Sequence, residues 1–165
     1  MKEKMPDSPS IEELERRMRP GMLSQDGFLG EEESLMDVLR KDAWKLQELG
    51  ITHSQLANRL EALITAAIET PGRTARVGEF LVQLRSYEGF QICPWSSDIH
   101  HTQCRAGGGV KYASLDWNIR NLESNREMSG PGLAIHLIRE HHFFEGFDSP
   151  HRVDVLELAQ LLNLL

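Results

Sequence analysis

At Pro71-Gly72 the apolar period of this chain changes, and that change restricts the folds open to it. Before it, Leu35, Val38, Leu39, Leu46 and Leu49 recur at helical spacing, followed by Leu56, Leu60, Leu63, Ile64 and Ala67. After it, Phe80, Val82 and Leu84 alternate with Leu81, Gln83 and Arg85, the pattern of a strand. The clearest alternation runs from Lys111 to Asn121. Ala113, Leu115, Trp117 and Ile119 share one face, while Ser114, Asp116, Asn118 and Arg120 share the other. A strand buried on one side only pairs most naturally with antiparallel neighbours. Helices first, then strands, then a further helical pattern predict an α+β fold: an N-terminal helical hairpin, a small antiparallel β-sheet and C-terminal helices.

Local signals set the expected boundaries. Gly50 ends the first helix and a Thr52/Gln55 capping box opens the second, so residues 31–70 read as a helical hairpin. Glu31, Glu32 and Glu33 are expected on the first turn of the first helix, where the dipole favours negative charge. Asp42 falls inside that helix's apolar stripe and is expected to be a paired structural acid. The stretch LGITHSQLANRL resembles the opening helix of a helix-turn-helix module, but ALITAAIE continues the helix where a turn is required. Phe90 to Cys93 reads as a short strand and Glu127-Met128 as a return strand. Ser129-Gly130-Pro131 is expected to launch a helix running to about Phe144, before Gly146. Asp154 and Glu157 cap a last helix carrying Val155, Leu158, Leu161 and Leu162. Residues 71–165 thus hold the sheet and C-terminal helices, and 31–165 form a single domain. Residues 1–30, broken by Pro6, Pro9 and Pro20, are expected to be a flexible or partner-docking arm. Within it, Ile11 to Met18 is a short amphipathic piece capped by Ser10 and Glu13.

A chain of 165 residues buries enough surface to need no disulfide scaffold, and it has only two cysteines. The opening MKEKMPDSPS lacks the apolar core of a secretory signal, and no apolar run nears the roughly 18 residues that span a bilayer. The expectation is therefore cytoplasmic, with no membrane partner. The net charge is −7; after residue 70, nine basic side chains face eleven acidic ones. That balance argues against nucleic-acid binding, which rests on neutralised phosphates.

The residues with chemical potential are Cys93, Cys104, His136 and His141, spaced C-x10-C, then 31 residues, then H-x4-H. Two thiolates and two imidazoles suit tetrahedral zinc, whose structural sites use four such ligands. Cysteines on a β-hairpin followed by histidines on a helix resemble a C2H2 zinc finger. Both intervals exceed a finger's, so no DNA-reading role is carried over. Five helical steps of about 100° leave His136 and His141 roughly 140° apart. Joint ligation then needs a helix that loosens near its end, with His142 as the substitute ligand. The competing reading is a reduced cysteine pair beside a buried core histidine. Asp98, His100 and His101 are alternate ligands; if both clusters converge, an open hydrolytic site becomes possible.

No H-E-x-x-H, G-x-S-x-G, Walker or dinucleotide motif is present. Gly107-Gly108-Gly109 precedes a strand rather than a helix and reads as a hairpin tip. Phe143, Phe144 and Phe147 are expected to pack a helix end against the sheet, and Arg152 to pair with Asp148 or Asp154. The expected function is a domain with a structural Cys2His2-type zinc site, used in protein interaction or self-association rather than catalysis. The alternatives are a metal-dependent hydrolase or nuclease using the His-rich cluster, and a nucleic-acid-binding accessory protein.

Overall fold

Each helix of the structure, a computed structural model that describes residues 9–96, 104, 106–108 and 110–165, begins where a local cap or turn permits it. Ser10 accepts from the Glu13 N–H at the start of α1 (Ile11–Met18). Ser34 does the same for Asp37 at the start of α2 (Leu35–Leu49), which ends on Gly50 in the left-handed region at φ 70°. Thr52 and Gln55 form both halves of a capping box on α3 (His53–Ile68). After α4 (Ala134–His141), Asp154 caps α5 (Val155–Leu161) through the Glu157 N–H. The three glutamates 31–33 therefore precede the first helical turn, because the Ser34 hydroxyl takes the cap. Glu33 serves another purpose: its carboxylate accepts from the backbone N–H groups of Gly30, Phe147 and Asp148 at 2.8, 2.8 and 3.0 Å. It ties the segment before α2 to the loop after α4.

The strands form one antiparallel sheet in the order β1 (Thr74–Val77), β2 (Phe80–Ser86), β3 (Leu115–Asn121), β4 (Glu127–Pro131). Among the described residues, five helices and this four-stranded sheet make the fold α+β, as the change of period predicts. Three boundaries differ from expectation. Phe90 to Cys93 is not a strand; Gln91 donates its N–H to the Ala113 carbonyl just before β3, and among the described residues an isolated Ser96–Cys104 bridge follows. Ser129-Gly130-Pro131 completes β4 instead of starting a helix, with Pro131 opposite Asp116. Helix α4 starts only after Gly132, where any Cβ would collide with the Tyr112 carbonyl oxygen. It stops at His141 rather than Phe144, because His142 adopts φ 57° and Phe143 N–H returns to the Leu137 carbonyl. Strand β1 escapes sequence reading since four residues, TARV, cannot establish a period.

The inner sheet face, with Ala75, Phe80, Val82, Trp117 and Ile119, joins Leu60, Ile64 and Ala67 of α3 and residues of α4 and α5 in one core cluster. Helix α3 packs most closely on α4, and α2 on α5. A second cluster brings Leu14, Met18, Phe28 and Leu29 together with Leu35, Val38, Leu133, Leu137 and Phe143, and includes both cysteines. Residues of the 9–30 segment thus line the apolar surroundings of the sulfurs. Asp42, 2% exposed, accepts a bidentate pair from Arg152 at 2.9 and 2.8 Å. Arg152 also reaches Asp154 at 3.1 Å and the Glu145 carbonyl at 2.8 Å; Asp148 is not its partner. Phe143 and Phe144 are buried and Phe147 is half exposed beneath the Arg152 guanidinium. Among the described residues, no helix is long and apolar enough to cross a membrane.

Glu145 gives the fold a pH dependence. Burial holds its carboxyl up at about 7, partly offset by its hydrogen bond to Ser149 and the nearby His151. The geometry suits a protonated acid: Ser149 Oγ lies 2.9 Å from Glu145 Oε1 and 3.4 Å from the Gly27 carbonyl oxygen. The hydroxyl donates to the carboxylate when Glu145 is ionised; once Glu145 is protonated, the acid can donate to Ser149 and free the single hydroxyl proton for the carbonyl. A folded pKa raised above the ordinary 4.5 contributes stability that is complete below that value and is lost as pH rises towards 7. The loss is about 3 kcal/mol at most. Glu145→Gln should therefore match the wild type near pH 4.5 and exceed it at pH 8. Urea unfolding at both pH values measures this, and equal differences at the two would refute it.

Candidate metal centre

Cys93 lies in a tight turn after β2, closed by the Ser96 N–H on the Cys93 carbonyl at 3.0 Å. That turn is held from outside by Arg17 of α1, which is 6% exposed. One guanidinium nitrogen donates to the carbonyls of Pro94 and Ser96 at 2.9 and 2.7 Å, and Nε donates to Glu13 at 3.0 Å. The Ser96–Cys104 bridge then brings the second cysteine beside the first. His136 comes from the first turn of α4 and His141 from its last residue.

The four donor atoms lie within 4.8 Å of one another. His141 Nε2 is 3.4 Å from Cys93 Sγ and 3.3 Å from Cys104 Sγ; His136 Nε2 is 3.3 Å from Cys104 Sγ. Zinc bond lengths of about 2.3 Å to sulfur and 2.0–2.1 Å to nitrogen place S and N about 3.5 Å apart around a tetrahedral ion. The observed separations are close to that edge, so the cluster is compatible with a metal site. The two imidazoles approach from different sides, their centroids 5.0 Å apart and their planes at 76°. The five-residue spacing is accommodated because each side chain reaches its Nε2 to the same sulfur.

The surroundings prepare these groups as ligands. Both cysteines are free and buried. Their thiols share a hydrogen bond, which pulls Cys104 down towards the thiolate and raises Cys93; burial raises Cys93 further. Burial also lowers His141, favouring the neutral imidazole that a metal requires. Trp95 stacks on His141 with ring centroids 4.2 Å apart and planes at 4°, and meets Phe143 edge-on at 5.6 Å. The ring is thereby locked in orientation.

His142 is directed elsewhere. Its ring stacks on His53 at 4.2 Å, and it is not among the four clustered residues. Burial, with His142 second, lowers His53 to about 4. Asp98, His100 and His101 lie outside the described residues. Sequence reasoning missed Arg17 and Trp95. Arg17 is one of two adjacent arginines on a short amphipathic helix, and nothing local distinguishes it from a solvated charge. Trp95, two residues after Cys93, was the more readable signal. Comparison with protein-family models, curated proteins and solved structures returned no match.

Proposed function

We propose that this chain binds one zinc ion through Cys93, Cys104, His136 and His141 as a closed structural centre, in a non-catalytic protein-interaction or self-association domain. The observation that carries the reading is the convergence of two sulfurs and two imidazole nitrogens at zinc-like separations. Zinc suits this soft donor set and needs no redox partner. Four protein ligands complete a tetrahedron, so no position is left for the bound water that hydrolysis requires. The centre would staple the Cys93 turn and Cys104 to both ends of α4. Trp44, 64% exposed on α2, supports an interaction surface, since aromatic residues are enriched at interfaces.

Elemental analysis of freshly isolated native protein, beside Cys93→Ser and His141→Ala variants, tests the centre. One zinc per chain in the wild type and loss in both variants are expected. Native protein free of metal would overturn the reading. Arg17→Met should lower zinc affinity by about 10–100-fold in chelator competition, the usual effect of removing a group that orients a ligand. Unchanged affinity would show that the Cys93 turn holds its shape without the clamp.

A further inference from the structure

A second place on the molecule has the chemistry of a binding site and is independent of the cysteine cluster. A cleft of about 480 Å³ opens beside β3 and β4, lined by Tyr87, Gln91, Asp116, Pro131, Pro150 and His151. That volume falls within the range of small-ligand pockets, about 300–1,000 Å³. We propose that this cleft binds an organic cation, a guanidinium or ammonium group on a short alkyl stem, with Asp116 as its counterion.

The polar inventory favours a ligand that donates hydrogen bonds. Asp116 stands on the outward face of β3, opposite Arg85 of β2 and Pro131 of β4. Its carboxylate has no hydrogen bond or ion pair among the described residues; burial raises it above the ordinary carboxylate value, with the nearby His151 and Arg85 opposing that shift. The His151 Nε2 is taken by Asp26 at 3.0 Å. The Gln91 side-chain carbonyl is buried without a hydrogen-bond partner. The Tyr87 hydroxyl donates its proton to the Ala113 carbonyl at 3.0 Å, which leaves its oxygen as an acceptor. Asp116 and Tyr87 therefore offer acceptors to the cleft with capacity for an incoming donor, and the buried Gln91 oxygen beside them has no partner among the described residues.

The walls suit the stem. Pro131 and Pro150 have no N–H to satisfy, and Tyr87 adds aromatic surface against which a cation is favourable. Gly130 completes the lining; a Cβ there would lie 2.5 Å from the Trp117 ring on the core side of the strand. The same chemistry is carried by a free alkylamine or by an arginine or lysine side chain of a partner protein.

Titration of the full chain with agmatine, and separately with the blocked peptide acetyl-Gly-Arg-Gly-amide, tests the assignment by calorimetry and amide chemical shifts. Shifts at Tyr87, Gln91 and Asp116 are expected. Asp116→Asn should weaken binding about tenfold or more, as befits loss of a charged hydrogen-bond partner. Gln91→Leu, as an independent variant, should weaken it several-fold. Tighter binding of agmatine assigns a free amine, and tighter binding of the peptide assigns a partner's side chain. The proposal is overturned if neither probe binds at about 10 mM, or if folded Asp116→Asn binds as well as the wild type.

Discussion

On the proposed zinc centre, treating the native protein with a strong chelator is expected to lower its melting temperature by about 10 °C or more. A structural zinc contributes about 10–16 kcal/mol where it alone folds a domain. Here two apolar clusters already hold most of the fold, so a smaller share of about 3–5 kcal/mol is at stake. The loss falls on the Cys93 turn, Cys104 and α4, because those elements supply the four ligands. The direct Cys–His contacts at 3.3–3.4 Å persist in part as hydrogen bonds, so partial rather than complete unfolding is expected. Cys104→Ser should melt near the chelated wild type and be insensitive to chelator, since Cys104 Sγ is the sulfur within reach of both imidazoles. Thermal melts of the two proteins with and without chelator make the comparison. A wild type that melts at the same temperature in both conditions would falsify a stabilising role for the centre.

Asp42→Ala is expected to destabilise the protein by about 3–5 kcal/mol, the cost of breaking a buried ion pair. The substitution removes both hydrogen bonds that Asp42 makes to Arg152 and leaves the cation buried. Asp154 and the Glu145 carbonyl remain as partners, but Asp154 is considerably more exposed and accepts a single bond. Replacing the pair together, as Asp42→Leu with Arg152→Met, should cost markedly less, because no unpaired charge remains. Urea unfolding of the single and double variants measures the difference. A single variant within 1 kcal/mol of wild type, taking the lower bound of about 3 kcal/mol as the standard, would show that Asp154 compensates.

These two expectations were legible in the sequence to different degrees. Asp42 stands within an apolar stripe, so a partner had to exist, but the partner is 110 residues away and no local pattern names it. Asp154 was readable both as a cap and as an Arg152 partner, since both relations span three residues or fewer. The helix caps at Ser10, Thr52 and Asp154 were readable for the same reason. The end of α4 was not, because His142 takes a left-handed conformation that glycine or asparagine usually marks.

For the candidate metal centre, the sequence by itself determined the donor chemistry: two thiols and two imidazoles. It also determined the change from helical to strand period and hence the fold class. Only the tertiary structure decided that the four donors meet, that His142 turns to His53 instead, and that Arg17 holds the Cys93 turn. Caps and periods depend on residues within a few positions of one another and are written into any short window. Convergence depends on contacts such as Arg17 to Pro94, 77 residues apart, and Cys93 to His141, 48 apart. Those contacts exist only once the sheet and α4 have packed, because burial brings the donors together and removes the water that would otherwise hold them apart.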